Sequence, residues 1–254
     1  MTEDKVSIIT PSYNSEKFIE SMIMSVQKQT YQNWELIITD DCSSDNSAAI
    51  IEKYAGEDPR IVLLKLKKNQ GAAKARNCSL KRASGRYIAY LDADDRWKPD
   101  KLKNQIEFMK NKPCSFSCTS YEVISENGER LNKTVHMLPE VDYSGFLANN
   151  LLQTVGIMVD TEYIDKNTLI MPDLKRRQDA ATWLKVLKSG HPCYGLREVL
   201  AEYRRVNNSL SSNKLQSVMG VLKLYREVEH LSLPLSCYYF IRYALLAVWK
   251  RIYL

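Results

Sequence analysis

The sequence of 254 residues is poor in the residue types that mark non-globular chains. It has only 9 glycines and 8 prolines, too few for a collagen-like chain or a flexible linker. Its six cysteines are far fewer than a disulfide-stabilised scaffold needs, so we expect free thiols and a reducing compartment. Cys114 and Cys118 lie four residues apart, but no second cysteine pair or nearby histidine completes a zinc spacing. We therefore expect this pair to pack in a strand.

Long apolar runs are also missing. The N-terminal string MTEDKVSIITPSYN carries early acids and no long apolar stretch before a small-residue cleavage site, so we expect no signal peptide and a cytoplasmic protein. The chain shows no internal repeat and no low-complexity segment, which gives little support to a second, linker-joined domain. The net charge of +6 indicates an anionic partner such as a phosphate, a nucleic acid or a lipid surface.

Apolar runs alternate with helical patterns through the first hundred residues. The runs predict strands over residues 6–10, 35–39, 61–66 and 87–91, and the segments between them carry apolar residues at helical spacing. We expect Gly85 to close the third helix as a left-handed cap. Strands that alternate with helices predict an α/β fold with a mostly parallel sheet and right-handed crossovers.

The alternation ends after Pro99. The Asn127-Gly128 pair predicts a turn between two antiparallel strands, and Ser189-Gly190 is expected to end a helix. Apolar residues at helical spacing predict helices over residues 102–109, 179–187, 214–231 and from 234 onward. The rest of the segment 141–211 fits no clear periodic pattern.

Acidic side chains follow the second and fourth predicted strands. Ligands of open α/β sheets bind beyond the carboxyl ends of the strands, so we expect a site that includes Asp40, Asp41, Asp92, Asp94 and Asp95. Asp92-Ala93-Asp94 puts two carboxylates on one side of an extended segment, where both can face one Mg²⁺ or Mn²⁺ ion. The alternative is a solvated turn whose aspartates cap the next helix.

Residues near the first three strands could bind a nucleotide. The Asp41 carboxylate can accept the N3–H of a uracil and Tyr13 could stack on the base, although turn aspartates without such a role are common. The stretch 60–91 has nine basic residues and no acid, and its loop 69–77 runs into a helix N-terminus with Arg76 as the candidate anion ligand. It lacks interleaved aromatic residues, so nucleic acid is not expected as a partner.

Four strings in the first half form a specific pattern. They are VSIITPSYN at 6–14, WELIITDD at 34–41 followed by SSD at 43–45, NQG at 69–71 with ARN at 75–77, and YLDADD at 90–95. The pattern resembles the family 2 glycosyltransferases, inverting enzymes that use nucleotide-sugar donors, and bacterial surface-polysaccharide enzymes (O-antigen, capsule, teichuronic acid) in particular. It implies the GT-A fold, a Rossmann-like nucleotide-binding unit with a mostly parallel central sheet, followed by a smaller acceptor-side region and C-terminal helices.

The resemblance also implies roles for the matching residues. The nucleotide-sugar site would comprise Pro11, Tyr13, Asp41, Arg76, Asp92 and Ala93. Within it Asp41 and Arg76 would contact the uracil, and Asp92 would lie near the ribose. Asp94 would bind Mn²⁺ or Mg²⁺ on the diphosphate. The catalytic domain would span residues 1–211, with a nucleotide-sugar half at 1–102 and an acceptor half at 103–211.

The family's catalytic base is an acid at the start of a helix that carries Trp-Leu. The string RRQDAATWL at 176–184 matches it, which makes Asp179 the predicted base and leaves Gln178 where glutamate is commoner. Inversion needs a carboxylate there to take the acceptor hydroxyl proton as that oxygen attacks the anomeric carbon. The alternative for Asp179 is helix capping. Val206 stands where many relatives carry a histidine, so the resemblance supplies no third protein ligand to the metal.

Histidine and the C-terminal segment complete the predictions. The three histidines do not cluster in sequence, so we expect surface or packing roles for His136, His191 and His230. Residues 212–254 form the C-terminal helices, and 231–254 carry three basic residues and no acid. This segment is too interrupted to span a bilayer. It could lie on the membrane surface with one apolar face that comprises Tyr238, Ile241, Leu245, Trp249 and Ile252. The alternative is a helix that packs on the catalytic domain or on a partner in a homodimer.

Together these features predict an inverting, metal-dependent transferase that moves a hexose, glucose or galactose, from a UDP-sugar to a lipid-diphosphate-linked saccharide at the cytoplasmic membrane face. A soluble or protein acceptor is the alternative within this class. A nucleotide-binding module without transferase activity is the alternative from another class. A sugar nucleotidyltransferase is disfavoured, because PSYN at 11–14 is not the Gly-rich, basic phosphate loop which that class needs after its first strand.

Overall fold

Four parallel strands and three helices alternate at the start of the chain, as the sequence predicts. The computed structural model describes residues 4–149, 151–206 and 214–253. The order is β1 (Val6–Ser12), α1 (Ile19–Gln27), β2 (Trp34–Asp40), α2 (Ser47–Glu57), β3 (Ile61–Lys65), α3 (Ala72–Arg82) and β4 (Tyr87–Tyr90). β1 pairs in parallel with β2 and β4, and β2 pairs in parallel with β3. The Val- and Ile-rich runs of β1 and β2 are almost wholly buried, as in a sheet covered on both faces.

The second half of the chain extends this sheet to ten strands in the order β3-β2-β1-β4-β9-β6-β10-β5, with β7 beside β6 and β8 beside β10. Its elements are β5 (Arg96–Trp97), α4 (Lys101–Lys110), β6 (Phe116–Ile124), β7 (Arg130–Val135), β8 (Glu140–Val141), α5 (Tyr143–Ala148), β9 (Ile157–Asp160), α6 (Gln178–Lys188) and β10 (Cys193–Arg204). β9 runs antiparallel to both β4 and β6. It therefore joins the two halves of the sheet.

Several local predictions for the second half are confirmed. β6 and β7 are antiparallel, and the turn between them has Gly128 at φ +86°. Gly190, at φ +89°, follows the end of α6. Short 3-10 helices that periodicity did not predict precede β9 at Thr154–Gly156 and follow it at Lys166–Leu169.

The C-terminal helices agree with the sequence in number and differ in detail. α7 (Lys214–Lys223) passes into a π-helical segment at Leu224–Val228, so the predicted helix over 214–231 ends earlier and in a wider turn. α8 (Leu233–Tyr253) begins close to the predicted start at residue 234. Its Ser236 is buried, and Tyr239, Phe240 and Tyr243 pack on the hydrophobic core. No helix in the described ranges is long and apolar enough to cross a membrane.

The prediction that Gly85 caps α3 in a left-handed conformation is wrong. Among the described glycines, positive φ angles occur only at Gly71, Gly128 and Gly190. A Cβ atom on Gly85 would lie 2.5 Å from the carbonyl oxygen of Lys5 and 2.8 Å from the backbone nitrogen of Ser7. The position therefore takes glycine because the chain passes directly against β1 there, and not because of its φ angle.

The prediction of free thiols is confirmed, and that of packing in a strand is confirmed for Cys118 but not for Cys114. All six cysteines lie in described residues and are free thiols. Cys118 is fully buried within β6, and Cys114 is buried just before that strand. Burial raises the pKa of the Cys118 thiol to about 12, which makes it an inert packing group.

Candidate functional site

The carboxyl ends of β1, β2 and β4 meet at one edge of the sheet and bring the predicted residues together. Ser12 of β1 is in register with Asp40 of β2, and the backbone N–H of Asp41 donates to the carbonyl oxygen of Ser12 at 2.8 Å. Pro11 is half-buried at the end of β1, whereas Tyr13 is 52% exposed just beyond it. An exposed ring beside this edge is available to a planar ligand.

Asp41 holds the loop that leads into α3. Its two carboxylate oxygens accept the backbone N–H groups of Gln70 and Gly71, each at 2.7 Å. Gly71 has φ +87°, a conformation that favours glycine, and it directly precedes the first residue of α3. Each carboxylate oxygen has a further lone pair. Asp41 can thus fix this loop and still accept a hydrogen bond from a ligand.

Arg76 and Asp92 form a buried ion pair across the same edge. Nη2 of Arg76, on α3, donates to Oδ1 of Asp92, which follows β4. Nε and Nη1 of Arg76 are buried and have no hydrogen-bond partner in the described part of the chain. Burial by itself would lower the pKa of Arg76, but the charges of Asp92 and Asp179 raise it. Two unsatisfied buried donors on a guanidinium suit an oxygen-rich ligand.

The five carboxylates predicted for this edge divide into two kinds. Asp95 is buried and accepts the backbone N–H of Arg204 at 2.8 Å, and Asp40 accepts both the backbone N–H and the hydroxyl of Ser43. These two aspartates therefore serve the structure. Asp94 is half-buried, and burial together with the charge of Asp92 raises its pKa to about 6.

The arrangement around Asp94 fits a divalent cation. Two carboxylates that lie close together repel each other and gain from a cation between them or on a shared ligand. In the described residues no three His, Cys, Asp or Glu side chains converge on one point. The protein would therefore supply one or two carboxylates, a pattern typical of Mg²⁺ or Mn²⁺ ions that also bind a substrate diphosphate and water. Oxygen ligands of this kind are those Mg²⁺ and Mn²⁺ prefer.

The string at 203–209, which has Val206 where many relatives carry a histidine, is described only in part. Val206 is half-buried, and residues 207–209 lie outside the described residues. His191 forms a hydrogen bond with the hydroxyl of Ser115 at 2.8 Å through Nδ1. It lies with Cys114 and Asp160 in the lining of a cavity away from Asp94.

Asp179 lies in the first turn of α6, close enough to Arg76 to raise the pKa of that guanidinium. The N-cap position of α6 is held by Arg177, which adopts φ +63° and forms no side-chain hydrogen bond to the helix. Asp179 lies inside the helix and does not occupy the capping position. Thr154 donates its hydroxyl to Oδ2 of Asp179 at 3.4 Å.

Trp183 fixes α6 against the sheet. Its ring is fully buried and meets Tyr90 of β4 edge-on at 5.1 Å between centroids and Phe116 of β6 at 5.8 Å. Tyr90 immediately precedes the loop with Asp92 and Asp94. One buried aromatic cluster therefore sets the position of the predicted base relative to the predicted metal ligand.

Sequence reasoning missed residues that support the site from a distance in the chain. Arg204 of β10 donates from Nε to the backbone oxygen of Asp94 at 2.6 Å and from Nη1 to the backbone oxygen of Glu126 at 2.9 Å. It thereby fixes the turn that presents the Asp94 side chain. Thr154, the partner of Asp179, was missed as well, since it lies in no string with a recognisable pattern. Arg204 does lie in the string at 203–209, but that string gave no sign that its side chain fixes the turn at Asp94.

Comparison with known proteins gives consistent matches. A family model described as glycosyl transferase family 2 matches residues 7–204. The chain is 44% identical over 247 residues to a Bacillus subtilis protein assigned as the teichuronic acid biosynthesis glycosyltransferase TuaG, with 97% of each chain covered. It is 37% identical over 257 residues, covering 99% of this chain and 96% of the relative, to the Escherichia coli protein WfgD, named UDP-Glc:alpha-D-GlcNAc-diphosphoundecaprenol beta-1,3-glucosyltransferase.

Two solved structures share the fold. Residues 1–349 of Staphylococcus aureus TarS, in complex with UDP-GlcNAc, superpose with a TM-score of 0.72 at 22% identity, covering 94% of this chain and 71% of that one. The mannosyltransferase PcManGT from Pyrobaculum calidifontis, in complex with GDP-Man and Mn²⁺, gives a TM-score of 0.70 at 17% identity, covering 89% of this chain and 64% of that one.

Proposed function

Since the chain belongs to glycosyl transferase family 2 and is a glycosyltransferase of GT-A fold, as its motifs predict, we propose that it transfers a hexose from a UDP-sugar to a lipid-diphosphate-linked saccharide with inversion at the anomeric carbon. The observation that carries the proposal is the placement of Arg76, which pairs with Asp92 at the donor edge and interacts with the charge of Asp179. The guanidinium of Arg76 therefore interacts both with Asp92 on the donor side and with Asp179, the predicted base on the acceptor side.

In the proposed reaction Asp179 takes the proton of the acceptor hydroxyl. That oxygen attacks the anomeric carbon of the donor sugar, and the bond from this carbon to the diphosphate breaks on the opposite face. Thr154 orients the Asp179 carboxylate through its hydrogen bond.

The nucleotide would lie along the strand ends. Asp41 and Arg76 would contact the uracil, and Pro11 and Tyr13 would line its pocket. Asp92 and Ala93 would border the ribose and diphosphate, with Asp94 as the ligand of Mn²⁺ or Mg²⁺. When bound, the cation would neutralise charge on the leaving UDP. The Mn²⁺ reported with GDP-Man in PcManGT supports a metal in this fold.

The acceptor and the location of the enzyme are part of the same proposal. The name of WfgD specifies transfer of glucose to a GlcNAc-diphosphoundecaprenol acceptor, and that of TuaG specifies teichuronic acid biosynthesis. We infer a lipid-diphosphate acceptor for this chain too, with glucose or galactose as the sugar. The enzyme would then work at the inner face of the cell membrane, with α8 on the lipid surface.

The experiment that tests the proposal compares the wild type with Asp179→Asn and Asp94→Asn. We expect UDP with Mn²⁺ to stabilise the wild type by about 2.7 kcal/mol at 100 times its dissociation constant. Asp94→Asn should lose the Mn²⁺-dependent part of this stabilisation. Asp179→Asn should keep it and lose transfer to a synthetic GlcNAc-diphosphate-lipid by about 10²- to 10⁴-fold, as expected for a lost general base.

Three results would contradict the proposal. Full transfer activity in Asp179→Asn would exclude Asp179 as the catalytic base. Failure of UDP to stabilise any of the three proteins would exclude a UDP-sugar as the donor. Transfer by the wild type to free sugars alone would replace the lipid-linked acceptor with a soluble one.

A further inference from the structure

A large groove lies beside the predicted base and plays no part in the donor site. It has a volume of about 820 Å³ and lies between the segment 173–177, which precedes α6, and the α7 helix with its π-helical continuation. π-helical segments are rare and are often found at functional sites. Donor-site residues such as Asp41, Arg76 and Asp94 are not in its lining.

The lining combines strong positive charge with apolar surface. Five basic side chains face two acidic ones, and Leu174, Met219 and Val228 supply part of the apolar lining. Asp173 forms an ion pair with Lys74 of α3, outside the lining, at 3.4 Å, and Glu227 pairs with Lys223 of the lining at 3.4 Å, so the basic side chains remain in excess. The groove is therefore suited to an anion that carries a hydrocarbon chain.

The groove is built against the start of α6. Arg177 lines it and is two residues from Asp179, a separation that spans at most about 7 Å between α-carbons. Gly220 of α7 lies directly against this arginine, since a Cβ there would be in van der Waals contact with Cγ of Arg177 at 3.6 Å. Nη2 of Arg177 also donates to the hydroxyl of Tyr243 on α8 at 3.4 Å. Arg177 thus links the groove to both C-terminal helices.

Contacts on the other side keep the wall formed by the C-terminal segment in place. The hydroxyl of Tyr225 donates to the carbonyl oxygen of Leu147 on α5. Lys188 of α6 forms an ion pair with Glu229 at 2.7 Å, and the hydroxyl of Tyr143 donates to the same carboxylate at 2.5 Å. The groove is therefore a formed feature of the fold between two anchored elements.

We propose that this groove binds the diphosphate of the lipid-linked acceptor, with Arg177, Lys223 and Arg226 as its ligands and the apolar lining against the first carbons of the lipid chain. The inference rests on the proposed function, which names the acceptor class but no residue that holds it. A diphosphate bound here would place the sugar attached to it beside Asp179. The long neighbouring helix α8 would face the same lipid surface.

The test measures transfer to a synthetic GlcNAc-diphosphate-lipid and, separately, binding of the same lipid in the absence of donor. The variant Lys223→Gln/Arg226→Gln should raise the KM for this acceptor by about tenfold or more and weaken binding equally, because two charged contacts are lost. The KM for the UDP-sugar should not change. The matched control is Lys81→Gln/Arg82→Gln, which removes two exposed charges from α3 and should behave as wild type.

A second variant tests the space rather than the charge. Gly220→Leu should fill the groove next to Arg177 while improving helix propensity in α7, so the fold is retained and acceptor binding falls. Equal losses in the charge variant and its control would mean non-specific attraction and would overturn the proposal. Normal acceptor binding by Gly220→Leu would overturn it too.

The two proposals fail in different ways. If the groove variants weaken lipid binding but the wild type transfers no sugar, the groove proposal is supported and the proposed function is contradicted. Normal transfer by all groove variants would keep the proposed function and remove the groove. A wild type that neither binds nor glycosylates the lipid, yet glycosylates a free sugar, would remove both the groove and the lipid acceptor.

Discussion

Lys101 is a buried cation outside the site. It is the first residue of α4, its side chain is fully buried, and its Nζ has no hydrogen-bond partner among the residues that the structure describes. The amine lies 3.7 Å from the centroid of the Trp97 ring. Burial lowers the pKa of Lys101 to about 7, so the amine loses much of its charge near neutral pH.

Replacement of this amine should stabilise the protein. The pKa of Lys101 is lower in the folded chain than in the unfolded chain, so the unfolded chain binds more protons between about pH 7 and 10.5. The free energy of unfolding should therefore rise with pH across this window. Lys101→Met should remove that slope and add about 1–3 kcal/mol at pH 7, because an unsatisfied buried donor is lost. Denaturant unfolding at several pH values measures both effects.

The exposed Lys103 on the same helix provides the control. Lys103→Met should leave the slope unchanged and alter stability by less than about 0.5 kcal/mol. A wild type whose stability does not vary with pH between 7 and 10.5 would show that Lys101 is protonated in the folded chain.

Sequence could locate the site residues but not divide their roles. The acids at 92, 94 and 95 were predictable because an apolar strand ends directly before them. Their division was not, because Asp95 is fixed by a backbone N–H of Arg204 on a strand formed much later in the chain. Asp179 was predictable through the motif that it shares with the family. Its partner Thr154 was not, because a single threonine on a short 3-10 helix has no pattern.

Two glycines lie near the ends of helices for different reasons. One is needed because the backbone passes close to a neighbouring strand, and the other is not. Gly85 lies against the backbone of β1, whereas a Cβ atom on Gly56, near the end of α2, would meet nothing within 4 Å. The link between α3 and β4 thus requires a residue without a side chain at position 85. The end of α2 does not.

Gly85→Ala should therefore destabilise the protein, and Gly56→Ala should not. The new Cβ at position 85 would lie 2.5 Å from a backbone oxygen of the sheet, so β1 or β4 must shift, at a cost of about 2 kcal/mol or more. Alanine at position 56 should be neutral or stabilising by up to about 1 kcal/mol. Thermal or urea unfolding of both variants checks the difference, and equal effects would contradict the close-approach role.

The elements that sequence predicted well are those with long, regular patterns. β1 to β4 have continuous apolar runs, and α6 has a clear apolar face around Trp183. β5 and β8 are two residues each, too short to show any period. β10 is longer, but its register against β6 shifts twice, so its apolar residues do not alternate regularly.

The helix α8 has one face that packs on the rest of the molecule and one face that is exposed. Tyr239 and Tyr243 pack on the core, whereas Tyr238, Ile241 and Leu245 of the predicted membrane face are more than half exposed. Arg242 lies among them, and the segment 231–254 has no acidic residue. The helix therefore packs on the domain, as one alternative for this segment predicts, and it also exposes an apolar, basic face on which the proposed membrane contact depends.

Ile241→Ser/Leu245→Ser should weaken binding to vesicles that contain anionic lipid by about tenfold or more, because each of these side chains contributes about 1.5–3 kcal/mol when buried. The melting temperature should not change, since both side chains are exposed. Vesicle co-sedimentation measures the binding. Leu131→Ser/Leu138→Ser, which removes two exposed leucines elsewhere, is the control and should bind as wild type. Equal binding by both variants would exclude α8 as the contact.

The position of β9 has a consequence for how the chain is made. β9 fills the space between β4 and β6, yet its residues follow β4 by more than sixty positions in the chain. Until residue 160 has left the ribosome, β4 has an open edge with unsatisfied N–H and C=O groups. A nascent or truncated chain that stops short of β9 would expose this edge to other chains and aggregate through it.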